Sequence, residues 1–524
     1  MKAYITTIML ALMCTLTTLG QKARVKSVTG QRLEITQAQD DRIKQEVEDI
    51  LAPYKPGIDS LTAPIIGQST QFMRVSDGES LLGNLLCDIL VDVSRQYGKR
   101  ADLAIANKGG IRSALPEGPI TIGHIMEIAP FENVYTMVTM RGDILIHLME
   151  QIAAMKGQCV SRDVQLTVAG SKLQSLTIRG RKVNPKRYYR VATIDYVAEG
   201  NDGMTAFRDV EPRQIIRSNV LVRDVYINYI RNLTRQGKKV SSKLDGRIRF
   251  ESTNDIQTTA APEKKVVNLT IVHTNDSHSC IMPYNPNSSD TQSANKGGFL
   301  RRTVVVDSLR QIDPELLLLD DGDFSQGSAY YNLYRGDVET DFMNYMRYDA
   351  CTIGNHEFDF GLENMARLFR RMKFPVVCCN YDFSGTVVEG TVLPYTIIER
   401  RGLRIGVTGV GAPLRGLVSA TKCEGVRYLD PAAEAERIGR HLKQDERCDL
   451  VICLSHLGVS PSDSINDQYL TSHTTSIDAV ISGHSHTYFT EIRRMNNAAG
   501  IPVPVQQEGK NARFVGVINL EVEK

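Results

Sequence analysis

The sequence predicts two folded halves, an α+β half followed by an α/β half. At 524 residues the chain is too long for a single hydrophobic core. The stretch at 251–265 is polar, rich in Thr and Ala, and contains Pro262, as expected for an interdomain linker. After it, short apolar runs alternate with amphipathic stretches, which is typical of an α/β domain. We therefore predict one domain over 21–250 and another over 266–524.

The individual elements are predicted from hydrophobic periodicity. In the second half, the amphipathic stretches at 363–372 and 432–443 predict helices. The apolar runs of that half predict strands at 269–272, 316–319, 350–353, 376–379, 405–410, 450–454 and 479–481. The first half combines a predicted helix at 82–93 with predicted strands at 134–140, 173–179 and 189–193, without a regular βαβ repeat.

The N-terminus has the features of an export signal. Lys2 is followed by a mostly apolar run at 4–13, and small residues precede Gln21. We therefore predict a signal peptide at 1–20 and a periplasmic or cell-surface protein. A buried N-terminal helix and a lipid anchor through Cys14 are the alternatives. No segment reaches the roughly 20 apolar residues that a transmembrane helix needs.

Composition argues against several functional classes. The 62 basic and 60 acidic residues give a net charge of +2, whereas nucleic-acid-binding proteins usually have a marked basic excess. A basic stretch at 179–190 contains an Asn-Pro turn signal and is expected to be a solvated hairpin. The ten cysteines show no C-x-x-C spacing, and we expect most of them in the core rather than in disulfides. Walker-type and G-x-S-x-G motifs are missing from the sequence.

Potential metal ligands follow five of the predicted strands. The motifs are HTNDSH at 273–278, DDGD at 320–323, GNHEFD at 354–359, SH at 455–456 and GHSH at 483–486. In open α/β sheets ligands bind beyond the carboxyl ends of the strands, so we expect these side chains to converge. Asp, Asn and His ligands without thiolate suit zinc, manganese or iron. Two such ions about 3.5–4 Å apart can clamp a phosphoryl group, with Asp323 as the natural bridge.

The motif series resembles that of the calcineurin-like metallophosphoesterases, specifically the 5′-nucleotidase family, over nearly all of 266–524. The resemblance implies an α/β metallophosphoesterase sandwich and two divalent metal ions, zinc, manganese, cobalt or iron. It implies that the first metal is held by Asp276, His278, Asp323 and His486, and the second by Asp323, Asn355, His456 and His484. It also implies that His356 stabilises the transferring phosphoryl group while Asp359 orients the His356 ring. Ser279 departs from the family, which often has glycine there.

The first half resembles the substrate-binding domain of the same family over about 70–207. The matching segments are ESLLGN at 79–84, NKGGIR at 107–112, Pro130-Phe131 and YVAEGNDG at 196–203. By this resemblance Phe131 and Tyr196 would sandwich a nucleobase, and such stacking is worth roughly 1–3 kcal/mol. The other implied substrate contacts are Asn107 and Arg112 to base, ribose or phosphate, Asp202 to the ribose hydroxyls, and Arg74. The family places the metal domain first, whereas here it comes second, so the sequence leaves open whether the two halves close on each other.

These observations predict an exported dinuclear-metal phosphohydrolase that releases phosphate from nucleoside 5′-monophosphates, by in-line attack of a metal-bridging hydroxide. Two alternatives keep the same site but change the substrate, to 2′,3′-cyclic nucleotides or to nucleotide-diphosphate sugars. A third, of another class, is a non-catalytic nucleotide-binding protein. The expected partner is a nucleotide substrate rather than nucleic acid. Metal identity, base preference and oligomeric state are left open by the sequence.

Overall fold

The computed structural model describes residues 24–76, 78–155, 157–169, 172–251, 267–284 and 294–523. The predicted signal peptide, Cys14 and all but the first residue of the predicted linker lie outside these ranges. Within them, no helix combines the length and the apolar character that crossing a bilayer requires. All cysteines in this part of the chain are free and most are buried, as expected from their positions in apolar runs.

The elements are numbered in chain order. The strands are β1 (Arg24–Glu34), β2 (Ile65–Ser69), β3 (Leu103–Ala106), β4 (Gly118–Thr121), β5 (Val134–Arg141), β6 (Cys159–Val160), β7 (Val164–Ala169), β8 (Lys172–Ile178), β9 (Arg181–Lys182), β10 (Tyr188–Ile194), β11 (Ile215–Leu221), β12 (Ile248–Glu251), β13 (Val267–Thr274), β14 (Leu317–Asp320), β15 (Ala350–Cys351), β16 (Tyr381–Asp382), β17 (Tyr395–Arg400), β18 (Leu403–Gly411), β19 (Arg427–Tyr428), β20 (Leu450–His456), β21 (Ala479–Ser482), β22 (Arg493–Asn496), β23 (Pro502–Gln506) and β24 (Phe514–Glu523). The helices are α1 (Gln45–Leu51), α2 (Lys55–Thr62), α3 (Leu81–Val93), α4 (Ile122–Ile128), α5 (Gly142–Ala154), α6 (Asp195–Ala198), α7 (Val222–Arg235), α8 (Phe299–Ile312), α9 (Ala329–Tyr334), α10 (Asp337–Met346), α11 (Gly361–Arg371), α12 (Pro431–Gln444) and α13 (Asp467–Ser472).

The second half is a sandwich of two sheets with helices on its outer faces. One sheet has the order β1-β24-β13-β14-β15 and the other the order β17-β18-β20-β21-β23-β22. Apolar side chains of both sheets, such as Leu319 and Leu454, share one buried cluster between them. Helix α12 covers the second sheet, with Ile438 and Leu442 packed near Val451. The predicted α/β sandwich is confirmed.

Parallel pairing places the strand ends that precede the predicted motifs at one edge of each sheet. β13, β14 and β15 pair in parallel in the first sheet. β18, β20 and β21 pair in parallel in the second. The predicted strand at 376–379 makes only isolated bridges, through Val376 and Val377. The loops that follow β13, β14, β15, β20 and β21 therefore leave the sandwich on the same side.

The first half is an α+β domain, as predicted. Its main sheet has the order β11-β5-β10-β3-β6, and a smaller sheet has the order β12-β7-β8-β9. Helices α3, α5 and α7 contribute buried side chains such as Leu86, Leu148 and Val225 to one large apolar core with this sheet.

The segment at 24–62 packs against the second half, whereas the predicted domain division placed it in the first half. β1 pairs antiparallel with β24 over its whole length and so extends a sheet of the second half. Val47 of α1 and Ile58 of α2 lie in the same apolar cluster as Phe342 of α10. Pairing with β1 covers the backbone donors and acceptors that β24 would otherwise present along a free sheet edge.

Candidate active site

The five predicted motifs meet at one edge of the sandwich. Three groups of side chains have ligand atoms that all lie within 4.8 Å of one another. The groups are Asp276, His278 and His486; His278, Asp323 and His356; and Asp323, His456 and His484. Asp323 belongs to two of these groups, so its carboxylate could be a ligand of two neighbouring ions.

Individual distances within the cluster are short. Nε2 of His456 lies 3.2 Å from Oδ2 of Asp323, and Nε2 of His486 lies 3.3 Å from Oδ1 of Asp276. The Nε2 atoms of His278 and His486 are 2.9 Å apart. Imidazole nitrogens and carboxylate oxygens thus face each other across a gap of the size that a divalent cation occupies.

The ligand loops have an unusual backbone. Asp276, His278, Asp323, His484 and His486 all have positive φ, between 46° and 64°. Non-glycine residues rarely adopt this conformation, and those that do concentrate at functional sites because the surrounding structure must hold them there. Strain is therefore found at the positions that present ligands.

Position 354 requires a glycine because the backbone there packs closely against the loop that carries Asp323. A Cβ at this position would lie 2.1 Å from Oδ1 of Asp323, closer than any real contact. The glycine of the GNHEFD motif therefore lets two ligand loops approach each other.

Unpartnered buried atoms fit a metal-binding role. Oδ1 of Asn355 and Nε2 of His456 are among the buried side-chain atoms of the described residues that lack a hydrogen-bond partner, and the polar neighbour of the latter is the Asp323 carboxylate at 3.2 Å. Buried polar atoms are nearly always paired, so each such atom calls for an explanation. Divalent cations would satisfy both, and the oxygen and imidazole donor set suits zinc, manganese, cobalt or iron.

The two carboxylates of the cluster differ in their electrostatics. Burial raises the pKa of Asp276 to about 6. Burial alone would also raise the pKa of Asp323, but the neighbouring His456 and His356 outweigh it and hold that pKa well below its usual range. Asp323 is therefore ionised even before any cation binds.

His356 and Asp359 form a hydrogen-bonded pair beside the cluster. Nδ1 of His356 lies 3.0 Å from Oδ2 of Asp359, and the backbone N–H of His356 donates to Oδ1 of Asp323 at 2.8 Å. Burial disfavours the charged imidazole, but Asp359 and Asp323 outweigh it and raise the pKa of His356. This imidazole is thus favoured in its protonated, proton-donating form.

Two supporting carboxylates were not predicted as site residues. Glu357 accepts backbone hydrogen bonds from Asp323 (2.9 Å), Ser325 (3.1 Å) and Gly354 (2.7 Å). Its place inside the GNHEFD motif was a signal that could have identified it. Asp467 accepts hydrogen bonds from the hydroxyls of Ser455 (2.6 Å) and Ser482 (2.5 Å).

Through these two hydrogen bonds Asp467 links the end of β20 to the end of β21. His456 is the last residue of β20, and His484 follows β21 by two residues. Nothing in the sequence around Asp467 marks this role, because its partners are reached only through the fold.

The two halves close around a shared cavity of about 350 Å³, which we name the interdomain cavity. Its lining includes Asn107, Arg112, Phe131, Tyr196 and Asp202 from the first half, and Asp323, Asn355, His356, Asp359, His484 and His486 from the second. The reversed domain order therefore does not prevent the halves from meeting. Arg74 is exposed and does not line this cavity.

Hydrogen bonds organise the first-half side of the cavity. Nδ2 of Asn107 donates to Oδ2 of Asp202 at 2.6 Å, and the Tyr196 hydroxyl donates to Oδ1 of the same carboxylate at 3.0 Å. The Tyr196 hydroxyl also lies 3.4 Å from the carbonyl oxygen of Gly416 in the other half. The Phe131 ring centroid is 5.6 Å from that of His356.

Arg112 is a first-half side chain that reaches the metal-ligand cluster. Its Nη2 lies 3.1 Å from both ring nitrogens of His278. A guanidinium at this distance would face a phosphate bound at the cluster, and Arg is well suited to such contacts.

Each half contains a segment that matches a protein-family model. Residues 65–209 match the model of the 5′-nucleotidase C-terminal domain, and residues 269–488 match that of calcineurin-like phosphoesterases. The domain described as C-terminal thus precedes the phosphoesterase domain in this chain.

Curated proteins that are similar in sequence to this chain include an apyrase and a 5′-nucleotidase. An apyrase of Tabanus yao is 32% identical over 223 residues, covering 42% of this chain and 39% of that protein. A human 5′-nucleotidase is 29% identical over 283 residues, covering 49% of this chain and 47% of that protein. The matches span less than half of the length of these curated relatives.

Among solved structures, a 5′-nucleotidase precursor of Thermus thermophilus matches with a TM-score of 0.42 and 30% identity, over 48% of this chain and 50% of that one. The NAD nucleotidase of Haemophilus influenzae matches with a TM-score of 0.41 and 25% identity, over 49% of this chain and 48% of that one.

Proposed function

Because the chain joins a 5′-nucleotidase C-terminal domain to a calcineurin-like phosphoesterase domain, we propose that it is an exported, metal-dependent phosphohydrolase that releases phosphate from nucleoside 5′-monophosphates. One observation carries the proposal. A single cavity is lined both by the potential metal ligands and by the aromatic and polar side chains expected to hold a nucleotide. A phosphoryl group at the ligand cluster would therefore have its nucleoside within reach of Phe131 and Tyr196.

In this proposal two divalent cations are held by the residues of the cluster. Asp276, His278, Asp323 and His486 would hold the first, and Asp323, Asn355, His456 and His484 the second. Bound cations of this kind supply a nucleophile at neutral pH and neutralise charge on the transferring phosphoryl group.

Side chains of the protein would assist the displacement at phosphorus. Water adds its oxygen to phosphorus and gives up a proton, the bond from phosphorus to the nucleoside O5′ breaks, and O5′ leaves with the electron pair and takes up a proton. His356 donates a hydrogen bond to the phosphoryl group or the departing oxygen, because Asp359 holds its Nδ1 side and favours its protonated form. Arg112 offsets phosphate charge from the opposite side.

The nucleoside would lie between Phe131 and Tyr196, with its ribose hydroxyls donating to Asp202. Asn107 and the Tyr196 hydroxyl hold that carboxylate in place with hydrogen bonds of 2.6 and 3.0 Å. Stacking tolerates different bases, so the arrangement favours nucleotides as a class over one base.

A non-catalytic nucleotide-binding protein is the less favoured interpretation. Binding alone has no need of the His356–Asp359 pair at 3.0 Å or of the unpartnered ligand atoms of Asn355 and His456. Both features are expected of a site that transfers a phosphoryl group.

The test is phosphate release from AMP with added manganese, cobalt or zinc, and with chelator. Metal-dependent release that falls at least about 100-fold in His356→Ala supports the proposal, since general acid catalysis typically contributes roughly 10²–10⁴-fold. The matched control is His441→Ala, which removes another His–Asp pair, on α12 and outside the cavity. Absence of release from every nucleotide, in chains that bind metal, would contradict the proposal.

A further inference from the structure

A loop of the second half, at 416–422, lies against the interdomain cavity and has no part in the mechanism proposed above; we name it the edge loop. The edge-loop residues that line the cavity are Leu417, Val418, Ser419, Thr421 and Lys422. The chain enters this loop from β18, which pairs in parallel with β20, so the loop leaves the sandwich on the same side as the ligand loops. None of its residues belongs to the three groups of potential metal ligands among the described residues. Its side chains could therefore contact a part of the substrate that the metal ligands do not hold.

The edge loop is next to a ring that is expected to stack on the base. The Tyr196 hydroxyl lies 3.4 Å from the carbonyl oxygen of Gly416. In the proposed function the base lies between Phe131 and Tyr196, whose rings cover its two faces. The edge of the base is then the part left for other side chains of the cavity. A base at this place would therefore have part of its edge beside the edge loop.

Lys422 is the charged side chain of the edge loop that lines the cavity. Its Cδ lies 3.8 Å from the point that a Cβ on Gly361 would occupy, so its aliphatic stem packs on the backbone beside Phe360, another residue of the lining. Within the part of the chain that the structure describes, the Lys422 ammonium group forms no hydrogen bond or ion pair. An ammonium group has three donors and no acceptor, so this one can donate to a ligand in the cavity.

Two carboxylates of the same lining would favour a base with an amino group, such as adenine, but both already have partners. Oε1 of Glu132 lies 3.7 Å from a guanidinium nitrogen of Arg223 and 3.7 Å from one of Arg335. Asp195 accepts a hydrogen bond of 3.0 Å from the backbone N–H of Val134. The unpartnered lysine of the edge loop is therefore the charged group with most to gain from a contact with the base.

The pattern of acceptors on a base decides how well its edge meets an ammonium group. Guanine and hypoxanthine present O6 and N7 as neighbouring acceptors, whereas adenine presents N7 beside a donating amino group. Lys and Arg side chains pair with the O6 and N7 acceptors of guanine for this reason. An ammonium group at the base edge therefore favours a 6-oxopurine over adenine.

We propose that Lys422 makes this site selective for 6-oxopurine nucleoside 5′-monophosphates, such as IMP and GMP, over AMP. The inference rests on the proposed function, which places the base between Phe131 and Tyr196. Stacking on those two rings tolerates every base, so it does not supply the selectivity itself. The reaction at phosphorus is the same for all these substrates, and the contact at the base edge is what differs.

The test compares IMP with AMP, which differ only in the oxygen or amino group at C6 and in the protonation of N1. The unmodified chain should hydrolyse IMP with a kcat/KM at least about fivefold higher than that for AMP. Lys422→Met removes the ammonium group and keeps the length of the side chain, so it should bring the two values to within about twofold of each other. Lys422→Arg keeps a cationic donor and should retain the preference. Lys373→Met, which changes an exposed lysine of the second half outside the cavity, is the control.

Equal kcat/KM for IMP and AMP in the unmodified chain would overturn the inference. So would a preference that survives Lys422→Met, because the ammonium group would then contact the phosphate or the ribose, or no part of the nucleotide. Failure of the proposed function gives a different result, namely no phosphate release from either nucleotide. In that case calorimetric binding decides: IMP is expected to bind at least about fivefold more tightly than AMP, and equal binding would contradict the inference.

Discussion

The two faces of the interdomain cavity are built in different ways. The metal-ligand face comes from loops at the ends of parallel strands, with a strained backbone at Asp276 and Asp323 and buried polar atoms that lack partners. The face from the first half is organised by hydrogen bonds such as that from Asn107 to Asp202 at 2.6 Å, and Asp202 has a positive φ of 50° as well. The two faces therefore differ in their side chains rather than in backbone strain: the potential metal ligands lie on the first face, and the aromatic and hydrogen-bonding side chains lie on the second.

This difference assigns distinct tasks to the two halves. The second half contains every potential metal ligand of the described cluster together with the His356–Asp359 pair, so it holds the groups required for phosphoryl transfer. The first half contributes Arg112, whose Nη2 lies 3.1 Å from the His278 ring nitrogens, and the aromatic residues Phe131 and Tyr196. Variants of these second-half groups are therefore expected to affect all substrates, and aromatic variants of the first half only nucleotides.

The largest effect is expected for Asp323→Asn. Its carboxylate belongs to two of the ligand groups, so the substitution weakens both proposed metal sites. Activity on AMP and on bis(p-nitrophenyl) phosphate should fall at least about 10³-fold, with bound metal measured in parallel by elemental analysis. Asp445→Asn, an exposed carboxylate on the same half, is the control. Activity within tenfold of the unmodified chain would show that the division of tasks is wrong.

A smaller loss, of about 100-fold in kcat, is expected for Asp359→Asn. The Asp359 carboxylate raises the pKa of His356, so its removal lowers that pKa. Because the protonated imidazole is the active form, the alkaline limb of the pH–rate profile should move to lower pH. A profile that keeps its shape while kcat falls would mean that Asp359 acts only on the fold.

A selective effect is expected for Phe131→Ala and Tyr196→Ala. Loss of one stacking face should lower kcat/KM for AMP about tenfold, because such stacking is worth roughly 1–3 kcal/mol. Hydrolysis of bis(p-nitrophenyl) phosphate should stay within twofold. Tyr188→Ala removes an exposed ring outside the cavity and serves as the control. An equal loss of activity on AMP and on bis(p-nitrophenyl) phosphate would contradict the proposal that the first-half face selects nucleotides.

The smallest effect on activity is expected for Glu508→Gln, which tests stability instead. Burial raises the pKa of Glu508 to about 7, so the folded state holds its proton more tightly than the unfolded state does. The stability contributed by this carboxyl is therefore present below about pH 4.5 and is lost as pH rises towards 7.

Glu508→Gln removes that dependence. Chemical unfolding should show a gain of about 1–3 kcal/mol at about pH 8 and little change at about pH 4.5. The same gain at both pH values would mean that ionisation of Glu508 does not limit the stability of this half.

Sequence patterns predicted the second half closely. Each motif follows an apolar run, and parallel pairing of β13, β14 and β20 in their sheets brings the motif loops to one edge. The strand at 376–379 was overpredicted, because apolar residues there form bridges without a continuing ladder. Arg74 could not be placed from sequence, since a motif fixes the neighbours of a residue and not the direction of its side chain.

Local sequence patterns were enough to predict the residue types of the potential metal ligands, their order along the chain and the strand ends that carry them. These follow from local patterns, because a strand's direction fixes where its final residues point. Only the tertiary structure decided that the reversed halves meet, with Arg112 against His278, and that β1 joins β24. These features depend on contacts between residues more than 150 positions apart, and no local pattern specifies which surfaces pack together.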